Sequence, residues 1–92
     1  MATLHMDVDS VRSTQANIVS VKGQLNDQVN TIGQAVDSMV GSTWSAPGAT
    51  QFQSEFQNWR TAMLQSLEQL EQLATRLNGE ITEWESTAQN VA

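Results

Sequence analysis

The apolar residues of this chain fall into rows seven residues apart. In the first half Leu4, Val11, Ile18, Leu25, Ile32 and Met39 follow one another without a polar interruption. A second row beside it reads Val8, Gln15, Lys22, Val29 and Val36, and Val21 and Val40 widen the stripe. The second half repeats the plan with Phe56, Met63, Leu70, Leu77, Trp84 and Val91, flanked by Phe52 and Trp59 and later by Leu67, Ala74, Ile81 and Ala88. Recurrence at seven marks an α-helix with one side turned to another helix. The two-residue alternation of a half-buried strand persists nowhere, so the pattern predicts an all-α chain.

The two halves meet at Gly41-Ser-Thr-Trp44-Ser-Ala46-Pro47-Gly48, which holds the single proline. Glycine and proline punctuate helices, glycine by tolerating the left-handed backbone past a helix end and proline by fitting the first turn of the next helix. The expected spans are helix 1 at about 7–41, a Trp44 turn at 42–47 and helix 2 at about 48–90, one domain over 1–92. Asp7 to Ser10 suits a helix start, because carboxylates favour the positive end of the helix dipole, and Ser45 or Ala46 is the expected cap of helix 2. At about 1.5 Å per residue such helices run roughly 50 to 60 Å. A short connection forces them antiparallel, so the expected architecture is a helix-turn-helix hairpin. Gly23, Gly33 and Gly79 inside the helices read either as places of curvature or close approach, or as glycines merely tolerated at about 1 kcal/mol each.

Two helices cannot hide stripes this wide. Some of Val21, Val29, Val36, Leu67, Leu73 and Ile81 are expected to stay wet in a lone hairpin, and burying such a side chain fully is worth roughly 1.5 to 3 kcal/mol. The pattern therefore predicts dimerisation into a four-helix bundle. The stripe that forms the core and the dimer contact is read as Val11, Ile18, Val21, Leu25, Val29, Ile32, Val36, Phe56, Trp59, Met63, Leu67, Leu70, Leu77, Ile81 and Trp84, with Met39 and Met63 filling gaps. Gln15 and Lys22 interrupt it either as solvated edge positions or as polar contacts that set a partner's register.

Composition narrows the function classes. The net charge is -6, and Arg12, Lys22, Arg60 and Arg76 are scattered, so there is no basic footprint for nucleic acid or for an anionic membrane surface. No stretch approaches the roughly 20 apolar residues of a membrane span, and no stable membrane insertion is expected. The start has neither the basic nor the apolar region of a cleavable signal peptide. Without cysteine and with the single His5 there is no zinc-ligand set, and His5 reads as a surface residue. Glu80, Glu83 and Glu85 diverge around a helix and read as a solvated face. With no nucleophile set, phosphate loop or metal cluster, no cofactor and no enzyme activity are expected.

In length, hairpin plan, mid-chain Trp44 and the aromatic Phe52 eight residues later, the chain resembles the WXG family of small type VII (ESX-type) secretion substrates, the early secreted antigen and culture filtrate antigen group. The resemblance covers the whole chain and departs at the glycine of Trp-Xaa-Gly, where Ala46 stands, with Pro47 and Gly48 after it. It implies a dimer with a related WXG hairpin, the heterodimer favoured over the homodimer, exported by a membrane ATPase from a Gram-positive, actinobacterial cell. It implies action through protein contacts as a virulence-associated effector or co-secreted partner, with Trp44 and the turn adding to a surface for the machinery. Export of many family members depends on a C-terminal Tyr-Xaa-Xaa-Xaa-Asp/Glu signal, and this sequence has no tyrosine. The chain is thus expected to be the subunit that leaves with a signal-bearing partner. A homodimeric intracellular adaptor bundle is the alternative.

Overall fold

A computed structural model describes residues 4–91, and side chains through residue 87. Two helices, α1 (Val8–Met39) and α2 (Pro47–Val91), make up the fold. They form a rod of 69 × 21 × 19 Å. Ala88 and Val91, the last members of the expected α2 rows, lie outside the described side chains.

Local chemistry sets the ends of the helices. Asp7 caps α1 by accepting a hydrogen bond from the Ser10 N–H at 3.2 Å. That bond, which engages the ionised form, holds the Asp7 carboxyl below its ordinary value, with a smaller contribution from the charge of His5. At the other end Gly41 takes φ +91°, a conformation that costs a side-chain-bearing residue dearly. This reversal lets the Thr43 and Trp44 N–H groups both donate to the Met39 carbonyl at 3.0 Å, while the Gly41 N–H donates to the Trp44 carbonyl at 2.9 Å. Pro47 opens α2, where its missing N–H leaves no bond unmade. The Ala46 carbonyl just before it accepts from Ala49 at 3.0 Å and Thr50 at 3.4 Å.

The core is a narrow seam whose buried residues are Val29, Gly33 and Val36 of α1 and Ala49, Leu67, Ala74 and Ile81 of α2, spread along the length of the rod. Glycine and alanine at three of these positions let the backbones come close. Cross-links between the helices run in antiparallel order: Arg12 to Glu85, Lys22 to Glu71 at 3.2 Å, Asn30 to Arg60 at 2.9 Å and Asp37 to Gln53 at 3.0 Å.

The seam differs from the expected one in a systematic way. A row of residues exactly seven apart lags by about 20° per repeat on a straight helix. The leading row of α1 is therefore half-buried at Val11 and Ile18 but has turned into solvent at Leu25 and Ile32, the latter 47% exposed. Its neighbour row supplies Val29 and Val36 in its place. In α2 the expected flank of Leu67, Ala74 and Ile81 is the core, whereas Phe56, Met63, Leu70, Leu77 and Trp84 are half-buried. Val29, Val36, Leu67 and Ile81 are thus covered within one hairpin. Val21 and Leu73 are the exposed members of the set expected to be wet. Trp59, expected in the core, is 46% exposed.

Lys22 is no edge residue. Its side chain is largely covered and reaches Glu71 of its own α2, so its charge is satisfied inside the hairpin. Gln15 is half-buried on the same line of α1.

Candidate interaction surface

The cross-links fix which residues share a face. Each helical residue turns by about 100°. In α1 Asn30 and Asp37 immediately follow Val29 and Val36 and stand to one side of the inward line, whereas Ile32 immediately precedes Gly33 and stands to the other. Leu25 lies seven residues before Ile32 on that second side. In α2 Phe52 and Trp59 immediately precede Gln53 and Arg60. Because Asn30 binds Arg60 and Asp37 binds Gln53, these four residues close one margin of the helix contact. The opposite margin carries Leu25 and Ile32 from one helix and Phe52 and Trp59 from the other.

All four are exposed, and the same face takes in exposed Val21, one turn before Leu25, and Leu73, two heptads beyond Trp59. Half-buried Phe56 packs against Trp59 with ring centroids 5.6 Å apart. The hairpin therefore has a polar margin that locks its helices and an apolar face that covers nothing in the single chain. Completing the burial of such half-covered side chains is worth about 1 kcal/mol each. Exposed patches of this kind mark binding surfaces.

The apolar face runs up to the turn. There Trp44 is 40% exposed and its ring packs on Phe52, centroids 6.2 Å apart and planes tilted by 48°. Gly48 lies beneath the indole, where even a Cβ would come to 3.5 Å, an ordinary contact. An open cleft of about 350 Å³ lies beside Trp44, bounded by Val40, Gly41, Ser45, Pro47 and Thr50. Ala46 lines the same cleft, so the turn-motif residues Trp44, Ala46, Pro47, Gly48 and Phe52 gather at one end of the rod.

The family model described as proteins of 100 residues with WXG matches residues 3–87. The chain belongs to the WXG100 family. Its members are small helical-hairpin substrates of type VII secretion that generally pair up and engage the secretion machinery, and they are not known as enzymes. No curated protein and no solved structure matches the chain. Ala46 occupies the position of the motif's glycine, and it has no positive φ to satisfy. The one left-handed residue of the turn is Gly41, upstream of the tryptophan. In this WXG100 protein the glycine of the motif is therefore dispensable for the backbone.

Other candidate chemistry resolves into surface and structure. Glu85 is tied to Arg12, while Glu80 and Glu83 are exposed and border an open cleft of about 180 Å³ together with Met6, Trp84 and Thr87. His5 is exposed. Among the described residues no group of His, Cys, Asp or Glu is placed to hold a metal ion, and no helix is long and apolar enough to cross a membrane. Sequence reasoning missed the polar margin. Its signal was present in the spacing, since Asn30 and Asp37, like Gln53 and Arg60, are themselves seven apart.

Proposed function

We propose that this chain is exported by a type VII secretion system as one half of a dimer with a related hairpin, and that it acts through protein contacts as an effector or co-secreted partner. The observation that carries this reading is the one-sided apolar face of Val21, Leu25, Ile32, Phe52, Trp59 and Leu73 in a member of the WXG100 family. A second hairpin laid on that face makes the four-helix bundle that the stripe widths require. These 92 residues contain no tyrosine, so the Tyr-Xaa-Xaa-Xaa-Asp/Glu export signal comes from the partner chain. The Trp44 turn supplies this chain's share of the surface presented to the secretion ATPase, directly or through the partner.

The test is to delete the secretion ATPase in the native host and to compare the chain in culture supernatants and cell pellets. Loss from the supernatant with retention in the pellet is expected, and deletion of the partner gene is expected to have the same effect. Unchanged extracellular levels in the ATPase deletion contradict the reading.

A further inference from the structure

The two ends of the rod are held together by different chemistry. The buried residues of α1 are Val29, Gly33 and Val36, all in its second half. At the three- and four-residue spacing of a helix face, the same inward line runs back through Asn26, Lys22, Ile18, Gln15 and Val11, and each of these is only half-buried. Three of them, Asn26, Lys22 and Gln15, are polar. The change of character falls between Asn26 and Val29, about five turns from the start of α1 at Val8.

The facing stretch of α2 is the reverse. Arg12 pairs with Glu85 and Lys22 with Glu71, which sets residues 12–22 of α1 against residues 71–85 of α2. That stretch holds Ala74 and Ile81, each 1% exposed, and buried Leu67 stands one turn before it. A buried apolar row of α2 is thus roofed by the most polar part of the α1 seam. Both ion pairs among the described residues lie here. An exposed pair such as Arg12 with Glu85 adds little. Lys22 gives up water for Glu71, an exchange in which an apolar side chain often serves as well or better.

This part of α1 is also a poor helix by itself. Gly23 lies within it, with open space where a Cβ would stand, as do the β-branched Val11, Thr14, Ile18, Val19 and Val21. A stretch of this length and composition is marginally helical in water without packing. Release from α2 therefore melts it.

We infer that α1 is built in two parts: residues 8–26 form an arm that detaches from α2 as one unit, while residues 29–39 and the turn stay closed. Gln15, Lys22 and Asn26 are the positions that loosen the arm. Detachment uncovers Leu67, Ala74 and Ile81, a row that the closed rod hides. The device belongs to the single hairpin and does not rest on the docking role of the face of Ile32 and Trp59.

Native-state hydrogen exchange in sub-denaturing urea, read amide by amide by NMR, tests it. Amides of residues 18–25 lie well inside α1, so their exchange reports the arm and not fraying of the helix start. They are expected to exchange at least about thirtyfold faster than those of residues 33–39, and to share one urea dependence shallower than that of global unfolding. Val36→Ala removes a contact that persists when the arm is open, so it is expected to speed residues 33–39 about tenfold while leaving residues 18–25 unchanged. Gln15→Leu with Lys22→Met, which keeps helix propensity nearly constant, is expected to slow the arm about tenfold, and Glu71→Gln, which strands the Lys22 ammonium, to speed it at least about threefold. If Val36→Ala speeds both stretches alike, the hairpin opens as one unit and the inference fails. Rates that rise smoothly toward Val8 without a shared urea dependence reduce the arm to ordinary fraying, and an arm not slowed by the double variant refutes the role of the polar positions.

Discussion

The guanidinium of Arg60 lies over the bare backbone of Gly33, so close that a Cβ on residue 33 would come within 3.0 Å of its Nη1. From there Arg60 donates to Asn30 one turn away. The absence of a side chain at position 33 thus lets α2 reach across α1 on the margin that locks the hairpin, and leaves the other margin to the apolar residues.

Alanine substitutions separate this glycine from the others. Gly23 and Gly79 have open space where a Cβ would stand, so alanine there is expected to gain the helix-propensity difference, about 0.5 to 1 kcal/mol. Gly33→Ala is expected to gain less than either, because the new methyl pushes the Arg60 guanidinium from its place. Thermal or urea denaturation of the three variants checks this, and an equal gain at all three positions contradicts it.

Truncating the core is expected to cost more than truncating the motif tryptophan. Ile81 is 1% exposed, and Ile81→Ala should destabilise by about 2 to 4 kcal/mol. Trp44→Ala, which removes a partly exposed ring and its contact with Phe52, should cost about 1 to 2 kcal/mol. Urea unfolding of the two variants gives the order, and a larger loss for Trp44→Ala would show that the turn, rather than the seam, nucleates stability.

The Asp7 cap makes the start of α1 acid-sensitive. Its carboxyl is held below its ordinary value in the folded chain, so its contribution is complete above the unfolded value of about 3.9 and disappears as pH falls through the folded one. Carbon-detected NMR titration of Asp7 should show the lowered midpoint, and the Ser10 amide should shift with it. Asp7→Asn retains much of the capping geometry and should abolish that titration while leaving the helix start in place. A midpoint at or above the ordinary value contradicts the capping bond.

Much of this fold was legible in the sequence because helix formation, the break at Gly41 to Pro47 and the antiparallel return depend on local chemistry. What the spacing could not show was the phase. The seven-residue rows mark an apolar side, yet whether Leu25 or Val29 points inward depends on the twist of the helices about each other, which is a property of the packed pair. Along α1 the small lag per repeat moves Ile32 from core to surface, whereas Trp59 belongs to a row of α2 that is exposed from Phe52 onward. Lys22 shows the same limit: a polar residue within an apolar row reads as a solvated edge or a partner contact until the opposite helix supplies Glu71.

The proposed docking surface is the face of Ile32 and Trp59, and the most direct measurement isolates that face from the charges. At about 500 mM salt, where repulsion between copies that each carry a net charge of -6 is screened, sedimentation at tens of micromolar is compared for the wild-type chain, for Ile32→Glu with Trp59→Glu, and for Val19→Glu. Val19 is also exposed, but it lies 18 residues, five full turns, before Asp37 on the opposite margin. The wild type and Val19→Glu are predicted to associate beyond the 10.1 kDa monomer while the double variant stays monomeric. Equal association of all three, or its loss in Val19→Glu alone, would contradict the assignment of the face.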